Sequence, residues 1–99
     1  MADFWDVAGE LMAGDTRLVE GTIMGHPCLR LDEEFVAMPE LKTGRLIVKL
    51  DATRIAELID DGEAESFAPA GKVFKEWAAV EDQALWRGLL REAIAKAGG

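Results

Sequence analysis

Between residues 17 and 50 the chain passes through three or four short stretches of β type, a weaker one in "RLVEGTIM" and then "PCLRL", "EFVAM" and "RLIVKL", separated by little more than turn-forming residues. Alternation of apolar and polar residues with a period of two is the pattern of a strand that buries one face. The connections are short enough for hairpins, whereas parallel neighbours need a crossover of a dozen or more residues. These stretches are therefore expected to pair antiparallel in sequential order.

The period also assigns faces. In "RLIVKL", Leu46, Val48 and Leu50 fall on one side and Arg45, Ile47 and Lys49 on the other. In "LRLDEEFVAM" a two-residue loop, at Asp32–Glu33 or Glu33–Glu34, puts Leu29 and Leu31 on one face with Val36 and Met38. A three-residue loop pairs the leucines with Phe35 and Ala37 instead. Under either register Cys28 and Arg30 lie on the face opposite the leucines. Asp32–Glu33 lacks the glycine that best tolerates positive φ in a tight turn.

Helical patterns flank these strands. "DFWDVAGELMA" sets Phe4, Val7, Ala8, Leu11 and Met12 at helical spacing, with Asp3 as cap and Gly14 as stop. "DATRIAELIDDG" offers Asp51 as N-cap, a stripe of Ile55, Leu58 and Ile59, and Gly62 as terminator. "ESFAPAGKVF" reads as a loop carrying Pro69 and Gly71, and "KEWAAV" as a strand returning to the sheet. The last helix, "EDQALWRGLLREAIAKA", opens at Glu81 or Asp82 and buries some of Leu85, Trp86, Leu89, Leu90 and Ile94 before Gly98–Gly99 ends it. The expected architecture is α+β: an antiparallel β-meander sheet flanked by N-terminal, middle and C-terminal helices. With 99 residues, 49% of them apolar, the chain has enough material for one core and too little for two, so residues 1–99 are expected to form one domain.

The order of elements and the stretch "GTIMGHPCLRLDEEFVAM…GRLIVKLDATRIAELIDDGEAESFAPAGKVFKEWAAV" together resemble the N-terminal domain of the TfoX/Sxy competence regulators and the related MmcQ/YjbR-like proteins. Met24, Gly25, Leu29, Asp32, Phe35 and Ala37 fit the first part of the family pattern, and Gly44, Leu46 and Lys49 the second. Glu65 and Phe67 match the later loop, and Trp77 stands at the aromatic-strand position. Ser66 replaces the usual proline and Glu33 the usual turn glycine. The resemblance implies this fold. It brings no catalytic residues, and it implies DNA association only for some relatives.

Charge narrows the partners. Nineteen acidic against eleven basic residues give a formal charge of −8, which repels phosphate backbones within a Debye length of about 8 Å. Residues 1–66 hold six basic and fifteen acidic side chains, and residues 67–99 hold five and four. The only basic patch the sequence offers is therefore Lys72, Lys75, Arg87, Arg91 and Lys96, offset by Glu76, Glu81, Asp82 and Glu92. Trp5, Trp77 and Trp86 are candidates for a stacking surface, although each falls in an element where a core or groove position is the better-supported reading. The single cysteine allows no internal disulfide, and no apolar run approaches the roughly 20 residues of a membrane span. "MADFWDVAGELM" lacks the basic flank and apolar run of a secretion signal, so a cytoplasmic location with no membrane contact is expected.

Two groups of residues invite a functional reading. His26 and Cys28, at i and i+2, would point to one face of a strand as a thiolate–imidazole pair or two metal ligands. Zinc takes at least three protein ligands, and the chain has no other histidine or cysteine. A loop histidine beside a small half-buried cysteine is the better-supported reading. Arg30 and Lys49 lie away from the leucines, with Ile47 and, under one hairpin register, Phe35 nearby. Their face suits either an anionic ligand or simple snorkelling over apolar neighbours. No nucleophile elbow, P-loop, dinucleotide fingerprint or zincin motif is present.

The leading expectation is a non-catalytic domain that binds a partner protein or a small ligand, over the sheet or in a helix–sheet groove. Its candidate ligand-binding residues are His26, Cys28, Arg30, Lys49 and Trp77, with no cofactor and no metal. The alternatives are a nucleic-acid-associated regulator, disfavoured by the charge of −8, and a thiol- or metal-dependent enzyme using His26 and Cys28.

Overall fold

The computed structural model describes residues 3–98, so Gly99, expected to help end the last helix, lies outside the described residues. The chain begins with helix α1 (Phe4–Gly14) and continues through strands β1 (Leu18–Ile23), β2 (His26–Leu31), β3 (Glu34–Pro39) and β4 (Leu46–Lys49). Helix α2 (Ala52–Asp60), strands β5 (Glu65–Phe67) and β6 (Phe74–Val80), and helix α3 (Trp86–Gly98) complete it. The strands form one sheet in the order β1-β2-β3-β4-β6-β5, with every neighbouring pair antiparallel. This is the expected α+β meander with its three helices.

Local chemistry accounts for the helix ends. The Asp3 carboxylate accepts from the Asp6 N–H and the Asp6 carboxylate accepts from the Asp3 N–H, both at 3.0 Å, a reciprocal cap that satisfies two orphan donors. Gly14, expected as the stop, is instead the last residue of α1, and the extended Asp15 closes it by donating its N–H to the Met12 carbonyl. Asp51 occupies the N-cap of α2, but its side chain makes no capping bond. Its carboxylate lies 3.5 Å from Lys96 Nζ instead. Before α3, the Asp82 side chain accepts from the Ala84 N–H, and one turn of 3-10 helix at Gln83–Leu85 leads into the α-helix.

The "ESFAPAGKVF" segment departs from its reading as a loop. It contains β5 and a turn of 3-10 helix at Pro69–Gly71, and β6 begins at Phe74. Three residues are too few for alternation to show, and β5 exists because β6 lies beside it to pair with.

The β2–β3 hairpin falls between the two expected registers. Its turn is the two residues Asp32–Glu33, with Asp32 at φ +54°, a conformation that aspartate tolerates better than most non-glycine residues. Leu31 pairs with Glu34 and Arg30 with Phe35, but Leu29 pairs with Ala37, so Val36 is an extra residue in β3. A bulge of this kind shifts the face assignment partway along a strand. Val36 and Ala37 therefore both join the leucines, while Phe35 and Met38 turn to the other side.

All three helices cover one face. Phe4, Val7 and Ala8 of α1, Ile55 and Leu58 of α2, and Trp86, Leu89, Leu90 and Ala93 of α3 pack with Leu29, Leu31, Leu46, Val48 and Leu50 in the main core. Trp86 is buried there, donating its indole N–H to the Val80 carbonyl at 2.9 Å. Ion pairs tie the helices together across this layer: Arg87 of α3 with Glu10 of α1, and Arg54 of α2 with Glu92 of α3.

Candidate ligand-binding site

The opposite face carries a second, smaller cluster built from strand residues alone. Cys28, Phe35, Met38, Ile47, Phe67 and Ala79 are buried in it, with Ile23, Phe74 and Trp77 half-buried at its margin. Its cover consists of its own aromatic rings. Phe35 stacks on Trp77 with centroids 4.6 Å apart, Trp77 stacks on Phe67 at 5.6 Å, and Phe74 meets the Trp77 ring edge-on at 5.3 Å. Offset and edge-on pairs of this kind contribute about 0.5–1.5 kcal/mol each beyond the area they bury. The array keeps Ile47 dry without a helix over it.

The five candidate residues occupy distinct positions on this face. His26 belongs to β2, paired with Ile23 next to the Met24–Gly25 turn, and is exposed; it is a strand residue, not the expected loop histidine. Cys28 is wholly enclosed at 0% exposure, not half-buried, because the cluster closes over the strand centre. The two do project to one face, as their spacing requires. Among the described residues no group of three His, Cys, Asp or Glu side chains is placed to hold a metal ion. Pro27 fits between them because its nitrogen faces away from the β1 hydrogen bonds.

Arg30 is engaged by the backbone. Its guanidinium donates to the Glu33 carbonyl at 2.6 Å and to the Thr22 carbonyl at 3.2 Å, fastening β1 to the β2–β3 turn. Its stem crosses Gly21 so closely that a Cβ there would sit 2.8 Å from Arg30 Cδ, which explains a glycine in mid-strand.

Lys49 and Trp77 come together, as cross-strand partners on β4 and β6. Around them lies the feature that the sequence does not reveal. β5 and β6 lose register after Ser66: Ser66 pairs with Ala78 but Phe67 pairs with Phe74, so Lys75, Glu76 and Trp77 have no counterpart on β5. This limb is held on its other side by β4 and the Leu50 N–H, and an apolar slot of about 200 Å³ lies between it and α2. Ala52, Ile55, Ala56 and Ile59 form the helix wall, and Val73, Phe74 and Trp77 the strand wall. Lys75 sits at the slot, and a shallower hollow of about 340 Å³ on the other side of the same limb is lined by Lys49 and Lys75.

Neither lysine takes part in an ion pair among the described residues, although Arg17, Arg45, Arg54, Arg87 and Lys96 all do. Lys75 thus stands at the apolar slot and Lys49 in the adjoining hollow, which Glu76 also lines, on a protein of net charge −8. Such a site favours an anion with an apolar body. Elsewhere the surface is of opposite character: a cleft of about 450 Å³ near the start of α3 is lined by Glu63, Glu65, Glu81 and Asp82. Closer to the cluster, Arg45 bonds Glu40 at 2.8 Å and Glu65 at 3.1 Å, and its hydrogen bond holds the Glu40 carboxyl below its usual value.

Comparison of the chain with protein-family models, with curated proteins and with solved structures found no match. No helix of the described residues is long and apolar enough to cross a membrane.

Proposed function

We propose that this is a non-catalytic binding domain of the TfoX N-terminal-like kind, whose slot between α2 and β6 takes a small amphipathic anion. The observation that carries the reading is the pairing of an apolar slot, walled by Trp77 and Phe74, with Lys49 and Lys75, two cations that enter no ion pair among the described residues. Drug-sized ligands occupy roughly 300–1,000 Å³, so a slot of about 200 Å³ selects a short aliphatic chain or a single ring. The ammonium groups at the limb then set the polarity of its end. Arg30 and Cys28 support the site from within, one by fastening the hairpin and the other by filling the cluster.

Octanoate is a suitable probe, titrated against tryptophan emission. Trp77 lines the slot, while Trp86 is buried in the main core and Trp5 packs against that core from α1, so the response should saturate and disappear in Trp77→Phe. Acetate, which has the charge without the chain, should produce no change. An octanoate response that survives unaltered in both Trp77→Phe and the Lys49→Gln/Lys75→Gln double variant rules the site out.

A further inference from the structure

We infer that residues 68–73, the connection from β5 to β6, form a strap that folds down over the slot when an apolar chain occupies it; the inference rests on the slot being a ligand site. Phe67 and Phe74 anchor its two ends as cross-strand partners with ring centroids 5.8 Å apart. Between them all six residues are exposed, the longest such run among the described residues. Their hydrogen bonds stay within the segment: the Gly71 N–H donates to the Ala68 carbonyl at 3.2 Å and the Lys72 N–H to the Pro69 carbonyl at 3.3 Å. No hydrogen bond among the described residues ties the strap to α2 or to another strand. A segment with few buried contacts and no bonds to its surroundings moves without disturbing the rest of the fold.

The tip of the strap can change shape. Ala70 and Gly71 are adjacent and both left-handed, at φ +55° and +84°. The other non-glycine residues with positive φ, Met24 and Asp32, sit in two-residue turns that paired strands close directly. No ladder closes directly on Ala70, so a move to negative φ relieves its steric strain, and Gly71 accepts either sign. At the far end, Val73 is 53% exposed and lines both the slot and the hollow behind the limb. Inward movement of the strap lays Val73 on an apolar chain held between α2 and β6, covering the mouth beside Ala56 and Ile59. The ligand supplies the difference between the two states, since Val73 finds apolar surface to bury against only when the slot, about 200 Å³, is filled.

Trypsin reads the strap directly, because the Lys72–Val73 bond lies within it. The ligand-free protein should be cut there, and octanoate at a concentration that saturates the Trp77 emission change should slow that cut at least about tenfold in initial rate. Cleavage after Lys42, in the exposed connection between β3 and β4, is the control and should keep its rate. Val73→Ser should still show the emission change, at higher octanoate, and lose most of the protection at Lys72; if it no longer responds, the ratio of Lys72 to Lys42 cutting in the unsubstituted chain decides. An emission change without slower cutting at Lys72 overturns the strap and leaves the slot standing. Equal slowing at Lys42, or full protection in Val73→Ser, also overturns it, since global stabilisation by the ligand then accounts for the effect. Resistance of Lys72 in the ligand-free protein overturns the open form of the strap, and absence of any emission change removes ligand site and strap together.

Discussion

The two faces of this sheet are buried by different means. On one, three helices press aliphatic side chains onto Leu29, Leu46 and Val48, and Arg54, Arg87 and Lys96 above that layer are matched by carboxylates. On the other, strand residues are covered by a run of four aromatic rings, and Lys49 and Lys75 enter no ion pair among the described residues. A face sealed by whole elements serves stability, whereas one sealed by side chains can open locally and accept something else. The comparison assigns folding to the helix-covered face and recognition to the margin where α2 meets the aromatic rings.

The largest expected effect is on the helix side. Leu46→Ala removes a wholly buried side chain beneath α3 and should cost about 2–5 kcal/mol in urea unfolding. Trp77→Ala, on the half-exposed aromatic margin, should cost less, about 1–3 kcal/mol, while eliminating octanoate binding. Reversal of that order in stability would dissolve the distinction between the faces.

A smaller effect tests how Arg30 is held. Gly21→Ala drives a methyl group against the Arg30 stem and should destabilise by about 1 kcal/mol, and Arg30→Ala alone costs its two carbonyl bonds. Because Arg30→Ala also removes the obstruction, the double variant should be more stable than the sum of the two losses, measured as a double-mutant cycle. Simple additivity would mean that Arg30 does not lie across Gly21.

The smallest effect concerns the polar end of the aromatic face. The Arg45 hydrogen bond lowers the Glu40 pKa in the folded chain, so the carboxylate form is favoured by folding. The resulting stability is present at neutral pH, above the unfolded value near 4.5, and is lost as pH falls below it through the folded value. For a partly solvated pair it amounts to about 1 kcal/mol or less. Glu40→Gln should remove that part of the acid limb in unfolding measured from pH 7 to about pH 3.

How much of this the sequence discloses depends on the range of the interaction involved. The strands of the meander, the faces of β4 and the positions of all three helices follow from periodicity, because burial repeats regularly along each of them. The bulge at Val36 does not, since a single inserted residue leaves the alternation on both sides intact and changes only their relation. β5 escapes for a similar reason: its three residues are ordered by β6. Of the site, Lys49 and Trp77 are legible as residues of the non-leucine face, and Lys75 as part of a basic patch. The slot itself comes from the slipped register between β5 and β6, a long-range property with no local mark. His26 and Cys28 attract notice through rarity, which bears on chemistry only when accessibility and neighbours agree.

The assignment of recognition to the margin between α2 and the aromatic rings is tested most directly by mapping octanoate-induced amide shifts across the whole chain by two-dimensional NMR. Saturable shifts concentrated at Ala52–Ile59, Ser66 and Val73–Trp77, with the α1–α3 layer unmoved, are the predicted result. Shifts centred on α1 and α3, or on the acidic cleft around Glu81 and Asp82, would contradict it, as would the absence of any saturable shift.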